Sequence, residues 1–127
     1  NKHLQIFDRV STIKLNEYLN NMMKGLTAKI FRTCNSNILF QKWLNKQPKD
    51  NNHYNHYLRA NKQVALLCNH VNKDSVSLIT SRANYLDPRI TVSYCNKYKL
   101  DLSKVFSPAL LKRHKWAVDK KPCNFSF

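Results

Sequence analysis

The chain has 127 residues, 43% of them hydrophobic, a single glycine, and 22 lysines and arginines against 7 acids, for a net charge of +15 and an isoelectric point near 9.9. That length holds one domain or a piece of one. One glycine, against an average near 7%, leaves no glycine-rich phosphate loop and few tight turns, which argues against a β-sandwich or a nucleotide-binding α/β fold and for an all-α one. The charge implies a polyanionic partner. No apolar run approaches the roughly 20 residues of a membrane span, and Asn1–Gln5 shows no secretory apolar core, so nucleic acid is preferred to a membrane surface.

In chain order, residues 1–8 read as an irregular lead-in. Ile13, Leu15, Tyr18, Leu19, Met22 and Met23 make a helical stripe, with Ser11 or Thr12 as N-cap and Gly25 as its stop. Thr27 caps a second helix carrying Ile30, Phe31, Cys34, Ile38, Leu39, Trp43 and Leu44, and Pro48–Asn52 is a loop. A third helix is expected over Tyr54–His70, with Tyr57, Leu58, Val64, Ala65, Leu67 and Cys68 on its buried side. Residues 71–80 show no strong period and read as a connector.

Asp87-Pro88 is an N-cap followed by a proline at the first helical position, where its missing N–H costs nothing. The helix it opens carries Ile90, Val92, Tyr94, Cys95 and Tyr98, and it leaves Tyr85 two residues ahead of the cap, on a turn. Ser103 starts a short turn. Ser107-Pro108 repeats the cap-plus-proline pattern and opens a last helix through Leu110, Leu111, Trp116, Ala117 and Val118; the tail from Pro122 is irregular. The basic residues are scattered over helices, which describes a folded basic surface and not a disordered arm. Cys34, Cys68, Cys95 and Cys123 form no C-x-x-C pair, so neither structural zinc nor a disulfide framework is expected, and reduced, mostly buried thiols are.

Three groups could carry chemistry. Arg32 lies between the apolar positions of the second helix, as a boundary residue with its stem packed or as an anion ligand. His70 ends the third helix, as a capping group or as a donor to an anionic oxygen. Tyr85 has Arg82 and Arg89 close in sequence. A tyrosine hydroxyl titrates near about 10, so as a nucleophile it needs positive charge around the reacting group. Attack of an aryl oxygen on a phosphodiester forms a covalent ester that keeps the bond energy for resealing. His53, His56 and His114 read as solvated.

Three blocks make the chain recognisable: Gly25-Leu26-Thr27-Ala28-Lys29-Ile30-Phe31-Arg32-Thr33, then Arg59-Ala60-Asn61-Lys62-Gln63-Val64-Ala65-Leu66-Leu67-Cys68-Asn69-His70, then Ser81-Arg82-Ala83-Asn84-Tyr85-Leu86-Asp87-Pro88-Arg89-Ile90-Thr91-Val92. They resemble, in order, the GLTAK-[VI]-FRT, RAN-x-x-VA-x-LCNH and NYLDPRIT blocks of eukaryotic type IB DNA topoisomerases. The resemblance covers most of the chain apart from residues 40–58 and the tail.

The resemblance implies that Tyr85 is the nucleophile forming a 3′-phosphotyrosyl link. It makes Arg32 and His70 the donors to the non-bridging phosphate oxygens, and Asn84 part of the pocket for camptothecin-type inhibitors. Arg82, Lys29 and Arg59, inside the matched blocks, become candidate DNA contacts. It further implies double-stranded DNA as partner, a nuclear location, supercoil relaxation by strand rotation, and no need of ATP, metal or other cofactor. A second arginine and a lysine general acid belong to a segment upstream of the matched region.

On this reading residues 1–70 end the catalytic core subdomain, 71–80 replace a long charged linker, and 81–127 form a small helical C-terminal domain. Cys34 and Ser36 depart from the family's FRTYNAS, which has tyrosine and alanine there. The alternatives are a non-catalytic basic helical module that binds nucleic acid, and a tyrosine recombinase, which shares the chemistry.

Overall fold

A computed structural model describes residues 7–69, 71–72 and 75–127, with side-chain environments for 7–69 and 77–127. The described fold is all-α apart from one minimal antiparallel ladder, Val71–Asn72 with Ser75–Val76. It forms two compact units, residues 1–34 and 35–127, and the division falls within the second helix.

In the first unit α1 spans Thr12–Met22, and Ser11 caps it by accepting from Lys14 N–H at 3.2 Å. The turn after α1 is held by asparagines: Asn20 Oδ1 accepts from Gly25 N–H at 2.8 Å, and Asn16 Oδ1 from Ala28 N–H at 3.0 Å. Gly25 takes φ +86°, which a side chain would resist. The stripe of α1 is helical as expected, but no residue of the helix is buried, and Ile13, Tyr18 and Met22 are largely exposed.

α2 spans Ala28–Leu44. Its buried residues are Ser36, Asn37, Phe40 and Leu44, whereas Ile30, Phe31, Ile38 and Cys34 are exposed. The expected apolar face is therefore displaced: two small polar residues go inside because they have partners there. Ser36 Oγ lies 3.1 Å from Cys68 Sγ.

α3 spans His53–Leu67, capped by Asn52, whose Oδ1 accepts from Asn55 N–H at 3.0 Å. It ends three residues earlier than the sequence pattern suggests, and Leu67 is exposed while Tyr57, Val64, Ala65 and Cys68 are buried. The connector expected over 71–80 instead contains the ladder and the start of α4, Leu78–Asn84, which packs on α3. Seven residues are too few to display a period. Asn61 Nδ2 ties α3 to it by donating to the Leu78 carbonyl at 3.2 Å.

α5, Pro88–Lys97, starts where Asp87-Pro88 places it, and every residue from Ile90 to Cys95 is buried. Beyond its C-cap Tyr98, Lys99 turns the chain at φ +54°, with Leu100 N–H bonded back to the Cys95 carbonyl at 2.8 Å. A lysine thus fills the left-handed position that glycine usually takes. A 3₁₀ turn, Leu102–Lys104, precedes α6, Pro108–Arg113, capped by Ser107. The expected last helix is broken at His114, and α7 covers Lys115–Val118. The tail is irregular but anchored, with Phe125 N–H donating to Ser93 Oγ at 2.9 Å.

The core of the second unit gathers Phe40 and Leu44 of α2, Tyr57 and Val64 of α3, Leu86, Ile90 and Val92 around α5, and Val105, Phe106 and Leu110 near α6. Phe40 meets Tyr57 edge-on at 5.4 Å, and the buried Tyr57 hydroxyl bonds Thr91 Oγ1 at 3.0 Å. His56 and His114 are buried, not solvated. Each is taken in by a partner the linear pattern does not display: the Trp43 carbonyl, 2.9 Å from His56 Nε2, and the Phe106 ring, 5.4 Å from that of His114. His53 stacks on Tyr98 at 3.8 Å. All four cysteines are free, two buried and two exposed, and burial pushes the Cys95 thiol up to about 12.

Phe40→Ala should lower stability by about 3–5 kcal/mol through lost burial and a residual cavity. Ile38→Ala, one position from buried Asn37 but 52% exposed, should change it by less than about 0.5 kcal/mol. Urea denaturation of both variants reads the contrast.

Candidate active site

Tyr85 is the residue that ends α4, and one residue, Leu86, separates it from the cap of α5. Two helices therefore meet almost end to end. The last carbonyls of one and the first N–H groups of the other lack partners within their own helices. Three sets of bonds answer that need. The Ser81 carbonyl accepts from both Tyr85 N–H at 3.0 Å and Leu86 N–H at 3.1 Å. Asp87 caps α5 by accepting from Arg89 N–H at 2.9 Å. The side-chain amide of Asn37, from α2, bridges the turn: Nδ2 donates to the Tyr85 carbonyl at 3.0 Å and Oδ1 accepts from Asp87 N–H at 2.7 Å. The Tyr85 side chain is half-buried and packs against the core, while neighbouring Asn84 is exposed and donates to the Thr80 carbonyl at 3.2 Å.

The arginines flanking Tyr85 in sequence are both engaged. Arg89 grips Asp87 through Nε at 3.0 Å and Nη2 at 2.6 Å, and its guanidinium lies 4.3 Å from the centre of the Phe125 ring. Arg82 donates through Nη1 to the Val105 carbonyl, and its Nε is buried. Burial works to raise the Asp87 carboxyl, but the hydrogen bonds from Arg89 outweigh it and hold the group below the usual carboxylate range.

Of the other candidate residues, one belongs to α3 and two to the first unit. Arg59 belongs to α3 and pairs with Asp50 at 2.9 Å. It lines a groove of ≈ 530 Å³ with Trp43, Lys46, Lys49, His56 and Lys62, where the Lys46 ammonium sits 4.0 Å over the Trp43 ring. Cations beside an aromatic face suit a phosphate backbone. Arg32 and Lys29 are exposed residues of the first unit. His70 lies outside the described residues. Asn37 was not among the residues singled out from the sequence. The one local signal is that the seventh position of FRTYNAS, serine in the family, is Asn37 here; its partners are 48 and 50 positions away. Among the described residues no group of three His, Cys, Asp or Glu side chains could hold a metal ion, and no helix is long and apolar enough to cross a membrane.

Residues 1–100 match the family model described as eukaryotic DNA topoisomerase I, catalytic core. DNA topoisomerase 1 of Caenorhabditis elegans is 31% identical across 90% of this chain and 23% of its own length. The alpha enzyme of Arabidopsis thaliana is 26% identical over 92% of the chain and 22% of its own length, and DNA topoisomerase 1 of Homo sapiens 27% over 96% and 26%. The chain thus spans about a quarter of the length of these curated relatives. The match to the C. elegans protein runs over 183 aligned positions, more than the 127 residues of the chain, so that relative carries inserted residues within the shared span.

Asp87→Ala removes the cap and releases Arg89, and should cost about 1 kcal/mol at neutral pH. Because the folded carboxyl is held low, its contribution is complete above the unfolded value of about 3.9 and is lost as pH falls through the folded value. The stability gap between wild type and variant should therefore close below about pH 4, as read by denaturation at a series of pH values.

Proposed function

Starting from the fact that this chain belongs to the eukaryotic DNA topoisomerase I family, we propose that it carries the nucleophile of a type IB topoisomerase and takes part in relaxing supercoiled double-stranded DNA. The observation that carries this reading is Tyr85 at a helix–helix junction whose backbone is fixed on both sides, inside the NYLDPRIT block. The Tyr85 oxygen attacks a backbone phosphorus, and the bond from phosphorus to the 5′ oxygen breaks. The tyrosine gives up its proton, and the departing oxygen gains one. One phosphodiester replaces another, so the step is nearly isoenergetic and asks for no ATP; that it also needs no divalent metal is proposed from the resemblance alone. After the free strand rotates, the 5′ hydroxyl attacks the phosphotyrosine and reseals the DNA.

Charge spreads over the non-bridging oxygens as the phosphorus is attacked, and donors placed there lower the barrier. In this reading Arg32 and His70 are those donors. The second arginine and the lysine acid come from the catalytic segment that precedes the matched blocks in the family. Residues 1–70 then complete the core subdomain, 71–80 stand in for the linker, and 81–127 carry the tyrosine. Asn84, exposed beside Tyr85, is the proposed camptothecin-facing residue. Lys29, Arg59 and Arg82 are proposed DNA contacts, and the nucleus is the proposed site of action. The net charge of +15 supports the polyanionic partner.

The test supplies this chain with a polypeptide covering the rest of the relatives' catalytic span and offers a supercoiled plasmid. Wild type should relax it and leave a covalent DNA adduct after a denaturant quench; Tyr85→Phe should do neither. An adduct formed equally by Tyr85→Phe would end the nucleophile assignment. DNA binding by the chain should also weaken steeply as salt is raised from about 50 to 200 mM, the signature of phosphate contacts; a salt-independent affinity would contradict a charge-driven interface.

A further inference from the structure

We propose that Asn37 is a positioning residue for the nucleophile, a role that rests on the reading of Tyr85 as the attacking group. Its side chain is 1% exposed and reaches from α2 to the turn between α4 and α5. There its two amide atoms take opposite roles, the nitrogen donating to the Tyr85 carbonyl at 3.0 Å and the oxygen accepting from Asp87 N–H at 2.7 Å.

Those two backbone groups flank Leu86, the residue between the C-cap of α4 and the N-cap of α5. Fixing both fixes the direction in which the Tyr85 backbone leaves α4, and hence where its ring is carried. A primary amide is the side chain that can do this: one donor and one acceptor on the same carbon, at the spacing of a peptide group. Aspartate would set a negative oxygen against the Tyr85 carbonyl, serine would not span both groups, and glutamine would be a methylene too long. A protonated aspartic acid, however, restores one donor and one acceptor on the same frame.

In this scheme Asn37 is assigned to backbone groups and not to a reacting atom. It acts through backbone placement, and a displacement of about 1 Å at a reacting group can cost on the order of 100-fold in rate. The effect belongs in the cleavage step at saturating DNA, not in DNA affinity.

The experiment measures single-turnover cleavage of a nicked or half-site duplex at saturating DNA, with the same catalytic span supplied in trans. DNA affinity is measured separately, on Asn37→Ala, Asn37→Asp and Tyr85→Phe. Asn37→Ala should slow adduct formation by about 30-fold or more with the affinity for the duplex unchanged. Asn37→Asp should be slow at pH 8 and should recover, relative to wild type at each pH, as the pH is lowered toward 5 and its buried carboxyl takes up a proton. Asn37→Ala, which has nothing to protonate, should show no such recovery. Cleavage by Asn37→Ala at the wild-type rate, or slowed only in proportion to lost DNA affinity, would overturn the proposal, and so would an Asn37→Asp to wild-type ratio that stays flat with pH. Where Asn37→Asp does not fold, Asn37→Ala alone decides. Adduct formation by Tyr85→Phe defeats the nucleophile reading itself; an inert Tyr85→Phe beside fully active Asn37 variants defeats the positioning role alone.

Discussion

Helix ends are electrostatically unfinished, and where two of them meet head to tail the unpaired groups of both crowd into a few residues. The α4–α5 junction is such a place, and much of the second unit is arranged to complete it. Asn37 reaches in from α2, Ser81 doubles its carbonyl, Asp87 closes the first turn of α5, and Arg89 locks Asp87. Each of these groups is itself held. Ser81 is fully buried, and the Arg89 guanidinium lies against the Phe125 ring, whose backbone is tied to Ser93 of α5. The irregular tail therefore contributes order to the junction although it has no regular structure of its own.

This explains why polar residues occupy interior positions that apolar neighbours leave free. Burying an amide without partners costs more than burying a leucine gains, so Asn37 belongs inside because the junction satisfies it. Thr91 follows the same logic with the Tyr57 hydroxyl. Meanwhile Ile30, Phe31 and Ile38 stay outside on the same helix, and α1 exposes its apolar stripe.

The division between what the residues announce and what they conceal follows the range of each interaction. Caps act within three or four positions, so Ser11, Asp87-Pro88 and Ser107-Pro108 are legible and appear where they are expected. The buried face of α3 is mostly legible, since Tyr57, Val64, Ala65 and Cys68 keep the helical period. What cannot be read is set by partners far along the chain: Asn37 with residues 85 and 87, His56 with the Trp43 carbonyl, His114 with Phe106. Short elements also escape, because α4 is too brief for periodicity and the break at His114 divides one apolar pattern into two helices. The three motif blocks locate Tyr85, yet they say nothing of the residue that fixes its backbone.

The arginines bear on how labour is divided in the proposed reaction. In the sequence, Arg82 and Arg89 stand nearest to Tyr85 and look like the charge that a nucleophilic tyrosine requires. In the fold, Arg89 is bound to Asp87 by several hydrogen bonds and Arg82 donates to the Val105 carbonyl. A guanidinium so engaged would have to break those bonds to reach a phosphate. The pairing also holds the Asp87 carboxylate in its ionised, capping form. In this fold both contribute to the frame that carries the tyrosine; in the proposed scheme Arg32 and His70 meet the scissile phosphate, and Arg82 contacts DNA only by giving up the Val105 carbonyl. Nucleophile placement and transition-state charge are then supplied by separate residues, so a lesion in one should leave the other intact. That independence is what lets a rate defect at Asn37 be told apart from a defect in phosphate binding.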